Sequence, residues 1–174
     1  RGYDKDIYIT CPTCEGLLFD KTNEYLYLQV NGLTIIDFYS KEVNELSASL
    51  KKLNNTLTRT LQTMVGLGLG YLSLNRKTQT LSGGEVNRVK LCDHLSRMKV
   101  TSKILIIDEP VSGLDAETAS IVAKFIHSKV HLFAAIIIIE HRLEVIELAD
   151  YMITVGPGAG KLGGEIQSQR RISS

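Results

Sequence analysis

The chain has 174 residues, a formal net charge of +1, 44% apolar residues and 22% charged ones. That length suffices for one compact domain with a real core. The near-neutral balance excludes nucleic-acid binding through bulk charge alone, so any DNA contact would need local patches.

No cationic leader followed by an apolar stretch opens the chain, and no secretory signal is expected. The most apolar run, Leu132 to Ile139, is far shorter than the ~20 residues a bilayer crossing needs, so membrane insertion is not expected either. Of the three cysteines, two stand together as Cys11-Pro12-Thr13-Cys14. An odd count with this spacing is no disulfide framework and points to a reducing, cytoplasmic setting.

In chain order, residues 1–40 read as a small irregular module. The CxxC turn is followed by a strand-like alternation from Tyr25 to Val30. Asn31-Gly32 is a hairpin turn signal, with Leu33 to Ile36 as the return strand. Residues 41–100 read as a helical subdomain. Val43, Leu46, Leu50, Leu53, Leu57, Leu61 and Met64 recur at helical spacing, divisible into two helices. Gly66, Gly68 and Gly70 then break the pattern as a loop or helix end. A further helix is predicted from Gly83 to about Arg97.

Residues 101–174 take on an α/β rhythm. A strand is predicted at Ile104 to Ile107 and a helix from Ala116 to about Val130. The isoleucine strand Ile136 to Ile139 follows, then a short helix near Leu143 to Ala149 and a strand at Tyr151 to Val155. Alternation of this kind predicts a parallel sheet with right-handed crossovers. The four isoleucines suit a strand buried on both faces. The residues after Ile166 are polar and read as a frayed end.

Four features carry chemistry. Ile104 to Ile107 delivers Asp108 and Glu109 at a strand's carboxyl end, where α/β sheets bind ligands. One carboxylate could hold Mg²⁺ and the other could activate a water for attack on phosphate. Two solvated acids ending a strand is the competing reading. Ser82 and Glu85 form an S-x-x-E capping box around Gly83 and Gly84. Two glycines weaken a first turn, which makes sense if a backbone must approach an anion, or if the cap is simply flexible. His141 follows the isoleucine strand, where it could meet a phosphate or position a water, or be a plain surface residue. Asp115, in Ser112-Gly113-Leu114-Asp115, is a natural helix N-cap.

The order of these features resembles the ABC ATPase family. The resemblance implies that Leu81 to Glu85 is the signature motif, Ile104 to Glu109 the Walker B strand, Ser112 to Asp115 the D-loop and His141 the switch histidine. It makes Ser82, Gly83, Gly84, Glu85, Asp108 and Asp115 the nucleotide-binding residues, Asp108 the Mg²⁺ ligand, and Glu109 and His141 the catalytic pair. ATP and Mg²⁺ are the implied cofactors. The expected fold is a partial ABC nucleotide-binding domain, with a helical signature subdomain and a CxxC module before it. No G-x-x-x-x-G-K-[ST] occurs. Gly156 to Lys161 only mimics one, since Val155 stands where the first glycine belongs and Leu162 where the Ser/Thr does. No Q-loop is recognisable. The P-loop must then come from another half-domain, and the chain alone is not expected to hydrolyse ATP.

Further stretches are similar to the UvrA family: Tyr71 to Leu74 before Thr80, Arg88 to Leu91, Ala149-Asp150-Tyr151, the glycine-rich run from Val155 to Ile166, and Asp6-Ile7-Tyr8 before the CxxC turn. This implies the C-terminal ATPase domain of a nucleotide-excision-repair protein, with DNA and a UvrB-like protein as partners. It also implies that Cys11 and Cys14 are half of a Zn²⁺ site, which normally needs four ligands. Cys92 reads instead as a small core residue. Arg88 and Lys90 read as a solvated face as readily as a DNA contact. Asp115 departs from the pattern, because UvrA proteins usually carry histidine there. A resistance or transport paralogue, or a non-catalytic remnant, is the alternative.

Overall fold

The computed structural model describes residues 9–52, 55–158 and 163–172. Asp6-Ile7-Tyr8, Leu53 and the later part of the P-loop mimic, from residue 159 on, lie outside them. Three short helices open the fold: α1 (Ile35–Ser40), α2 (Val43–Ser49) and α3 (Thr56–Gly66). The long helix α4 (Gly83–Arg97) follows. Strand β1 (Ile104–Asp108), helix α5 (Ala116–His127) and strand β2 (Ala135–Ile139) form a parallel crossover unit. Helix α6 (Leu143–Ile146) leads to β3 (Tyr151–Gly156) and β4 (Glu165–Arg171).

The sheet is smaller than the alternation predicts. β1 and β2 pair in parallel, with Ile104 opposite Ala135 and Asp108 opposite Ile139. β3 and β4 pair antiparallel as a separate two-stranded sheet. The polar residues Gln167 to Arg171 are therefore not frayed, because this strand pairs with β3.

Two apolar clusters hold the elements together. In the first, Leu33, Val43, Leu46, Leu50 and Leu61 join α2 to α3. In the second, Leu67, Leu91, Leu95, Ile107, Val122 and Ile126 join α4, β1 and α5. The predicted break of the helical pattern also stands, since α3 ends at Gly66 and Gly68 takes φ +70°. A Cβ on Gly66 would meet the Phe125 ring at 2.2 Å, so glycine lets α3 lie close to α5.

Three expectations need correction. Asn31 and Gly32 do turn, with φ of 53° and 76°, as a two-residue hairpin turn requires. The hairpin stops at a single bridge between Val30 and Leu33. The supposed first strand contains a 3-10 helix, Glu24–Tyr27, capped by the Asn23 side chain. The return strand is helix α1, started by a Thr34–Asp37 capping box that outweighs the β preference of Ile35 and Ile36. The third correction concerns β2. Its isoleucines are not buried on both faces, because Ile137 and Ile139 are 49% and 56% exposed. Ile104 and Ile106 of β1 share this exposure, so one face of the parallel pair is bare and apolar.

Candidate nucleotide-binding site

The sheet edge gathers the acidic pair and the histidine. β1 ends at Asp108, and the Glu109 backbone N–H donates to the carbonyl of Ile139 at 2.9 Å. This bond brings Glu109 beside the end of β2, next to Glu140 and His141. Asp108, Glu109 and His141 are all exposed. Glu109 has φ +42°, a left-handed conformation that costs a non-glycine residue about 1–3 kcal/mol. Strain of this size at a candidate catalytic carboxylate is held by its surroundings: the Ser112 N–H donates to the Glu109 carbonyl at 3.1 Å, and Val111 is fully buried.

The capping box at the start of α4 is present. The Glu85 N–H donates to Ser82 Oγ at 3.2 Å, and the Ser82 N–H donates back to the Glu85 carboxylate. A second donor, the Tyr71 hydroxyl, also reaches that carboxylate. These bonds, Tyr71 first, pull the Glu85 carboxyl down to about 2. Glu85 is buried, so its role here is to hold the turn. Ser82 and Gly83 are the exposed members.

The two glycines differ. A Cβ on Gly83 would meet nothing within 4 Å, whereas one on Gly84 would stand 2.8 Å from the Ser112 carbonyl oxygen. Gly84 therefore allows the start of α4 to pack on the turn after β1. Arg88 reinforces that packing. It is 3% exposed, and its Nη1 donates to the Ser112 carbonyl at 3.1 Å. The solvated-face reading of Arg88 is thus wrong, although Lys90 is exposed as expected. The clamp depends on a carbonyl 24 residues downstream, which no local pattern signals.

Asp115 caps α5, accepting from the Thr118 N–H at 2.9 Å and from the Thr118 hydroxyl at 2.7 Å. The same bonds, the N–H first, lower its carboxyl's pKa. Arg142 ties this turn to the residues after β2, donating to the Leu114 carbonyl at 2.6 Å and to Glu144 at 2.7 Å. A chain of contacts thus runs from α4 through Ser112 and Leu114 to Arg142.

Cys11 and Cys14 lie in a tight turn apart from this edge. The Cys14 N–H, then that of Thr13, lowers the exposed Cys11 thiol's pKa, which suits a thiolate ligand. Two sulfurs are only half of a tetrahedral set, and among the described residues no third His, Cys, Asp or Glu joins them. Cys92 is buried at 3% exposure, and burial pushes its thiol up to about 11. It is a core residue, as expected, while Val89 on the same helix is exposed. Among the described residues no helix is long and apolar enough to cross a membrane.

The parallel crossover, the acidic strand end and the loop order fit part of an ABC-type ATPase domain, and the relatives that match the chain place it in that class. Over 78% of its length it superposes on 59% of a dimeric ATP-binding cassette protein in a post-hydrolysis state, with a TM-score of 0.51 and 18% identity, a likeness of fold alone.

Within that class the chain is UvrA-like. It is 37% identical over 162 residues to UvrABC system protein A of Staphylococcus aureus and 35% identical over 164 residues to that of Thermus thermophilus. These matches cover 92% and 94% of the chain but 17% of each relative. The crystal structure of UvrA2 from Deinococcus radiodurans aligns over 94% of this chain and 20% of its own, with a TM-score of 0.78 and 30% identity. The chain therefore spans about a fifth or less of the relatives it matches. No protein-family model matches it.

Proposed function

We propose that this chain supplies the signature loop, Walker B acids and switch histidine of an ATPase that couples ATP hydrolysis to recognition of damaged DNA in nucleotide excision repair. The observation that carries this reading is the sheet edge where Asp108, Glu109 and His141 converge, with the Ser82–Gly84 turn packed behind it on Ser112. In this reading Ser82, Gly83 and Gly84 face the γ-phosphate of ATP held by a P-loop elsewhere, and Glu85 holds that turn in shape. Asp108 holds Mg²⁺, a hard cation suited to an exposed carboxylate, which would offset charge on the phosphates. Glu109 accepts the proton of the attacking water, and His141 senses the phosphate. Asp115 shapes the turn between them.

The domain division follows the same reading: residues 1–40 as the CxxC module, 41–100 as the signature subdomain, and 101–174 as the α/β half. The bare face formed by Ile104, Ile106, Ile137 and Ile139 supports a P-loop half packing against β1 and β2. Cys11 and Cys14 would bind Zn²⁺ with two cysteines from outside the chain. DNA and a UvrB-like protein are the partners proposed for the complete protein.

DNA binding tests the repair reading against a resistance or transport role. The complete polypeptide carrying this chain is expected to bind duplex DNA with an affinity that falls steeply with salt, as phosphate contacts release counterions. ATP turnover with no salt-sensitive DNA binding would favour the non-repair role.

A further inference from the structure

Glu140 stands between the isoleucine strand and His141, and the roles assigned above do not use it. On a strand, successive side chains point to opposite faces. β2 ends at Ile139, however, and the following turn lets Glu140 fold back along its own backbone. Its Oε1 accepts from the His141 N–H at 2.9 Å and from the Arg142 N–H at 3.3 Å. The same oxygen lies 3.3 Å from His141 Nδ1. The Glu140 side chain is 3% exposed, whereas that of His141 is 79% exposed. Glu140 Oε2 is buried and accepts no hydrogen bond among the described residues. The Arg142 guanidinium is committed to Leu114 and Glu144 instead.

Oε1, the oxygen that His141 faces, already accepts two backbone N–H groups, so it sits among donors. A neutral imidazole carries its proton on one nitrogen and a lone pair on the other. A bare Nδ1 would set its lone pair against a carboxylate oxygen at 3.3 Å, two acceptors face to face. A protonated Nδ1 turns the same distance into a donor–acceptor contact. The second ring nitrogen, Nε2, is then left unprotonated on the exposed edge. The hydrogen bond at one nitrogen thereby decides what the other can do.

We propose that Glu140 is a positioning residue that fixes His141 in the Nδ1–H tautomer and orients its ring, leaving Nε2 as the acceptor on the exposed edge of the ring. There Nε2 can take a hydrogen bond or a proton from a water. Its use in hydrolysis rests on the ATPase reading, but the tautomer does not.

The test is a two-bond ¹H–¹⁵N correlation spectrum of the 174-residue chain with labelled histidine, at about pH 9, well above the ordinary imidazole pKa of ~6.5. The chain has four histidines, and loss of one signal set in His141→Gln assigns the resonance. The wild type should show His141 predominantly as Nδ1–H. Glu140→Gln should keep that tautomer, because the amide oxygen can accept the same donors. Glu140→Ala should shift it to predominantly Nε2–H. In the complete enzyme, Glu140→Ala should lower kcat and leave the KM for ATP unchanged. A wild-type His141 that is mainly Nε2–H overturns the proposal, and so does a tautomer unmoved in a folded Glu140→Ala chain. A wild-type chain without dispersed amide signals contradicts the packing on which it stands. If the tautomers behave as expected and no ATPase is found, the positioning role holds and the ATPase reading fails.

Discussion

Gly83 and Gly84 are adjacent in one helical turn, yet they answer to different constraints. The first faces open space, and the second touches the Ser112 carbonyl. Gly83→Ala should stabilise the fold by about 0.5–1 kcal/mol, because alanine loses less backbone entropy in a helix. Gly84→Ala should destabilise it by about 1–3 kcal/mol, because the added methyl is forced against backbone. Thermal or urea unfolding of the two variants measures the contrast, and equal effects would remove the close-approach argument. If Gly83 also serves nucleotide, its variant should be stable and impaired, the signature of a residue kept for function. The sequence made the two glycines visible as an anomaly in a capped helix start. It could not separate them, because the atom that distinguishes them belongs to Ser112. Arg88 was misread for the same reason: its polar side chain is buried by a bond to that carbonyl.

Helix α4 is held at its first turn by Glu85, which links Ser82 to the Tyr71 hydroxyl on the preceding loop. The Glu85 carboxyl is held at about 2, against an ordinary 4.5. A carboxyl depressed in the folded state stabilises fully above the unfolded value, and that contribution is lost as the pH falls through the folded one. Tyr71→Phe removes the first cause of the depression. It should cost about 1.5 kcal/mol at neutral pH, the low end for a bond to a charged group, since Tyr71 is half exposed. The loss should shrink as the pH falls from about 4.5 towards 2. Acid unfolding of the two proteins checks this, and a difference that does not change with pH would contradict it. Elements with both a periodic pattern and a cap were legible from residues alone. Helix α4 spans Gly83–Arg97 as predicted, and β1, α5 and β2 fall within a few residues of expectation. The N-terminal region misled because β-favouring residues sit inside capped turns. Thr34 with Asp37 was the signal that could have marked α1. The pairing of β4 was hidden because its partner strand precedes a glycine-rich sequence and its own residues are polar.

At the scale of the whole molecule, the bare isoleucine face and the convergent sheet edge have one explanation. Under the proposed function, a P-loop-bearing half completes both. Ile137 and Ile139 belong to the run Ile136 to Ile139, which the sequence suggested was buried on both faces, and they are exposed in this chain. The placement of Asp108, Glu109 and His141 at or just after the ends of β1 and β2 was legible in sequence order, because each follows an apolar run. The strain at Glu109 and the carboxylate behind His141 were not, because both depend on how the turns close. The most direct test is ATP turnover by the chain with and without a polypeptide carrying the P-loop half. Turnover is expected only in the mixture, and Glu109→Gln in this chain should abolish it. Turnover by the chain alone, or a mixture whose turnover survives Glu109→Gln, would contradict the account.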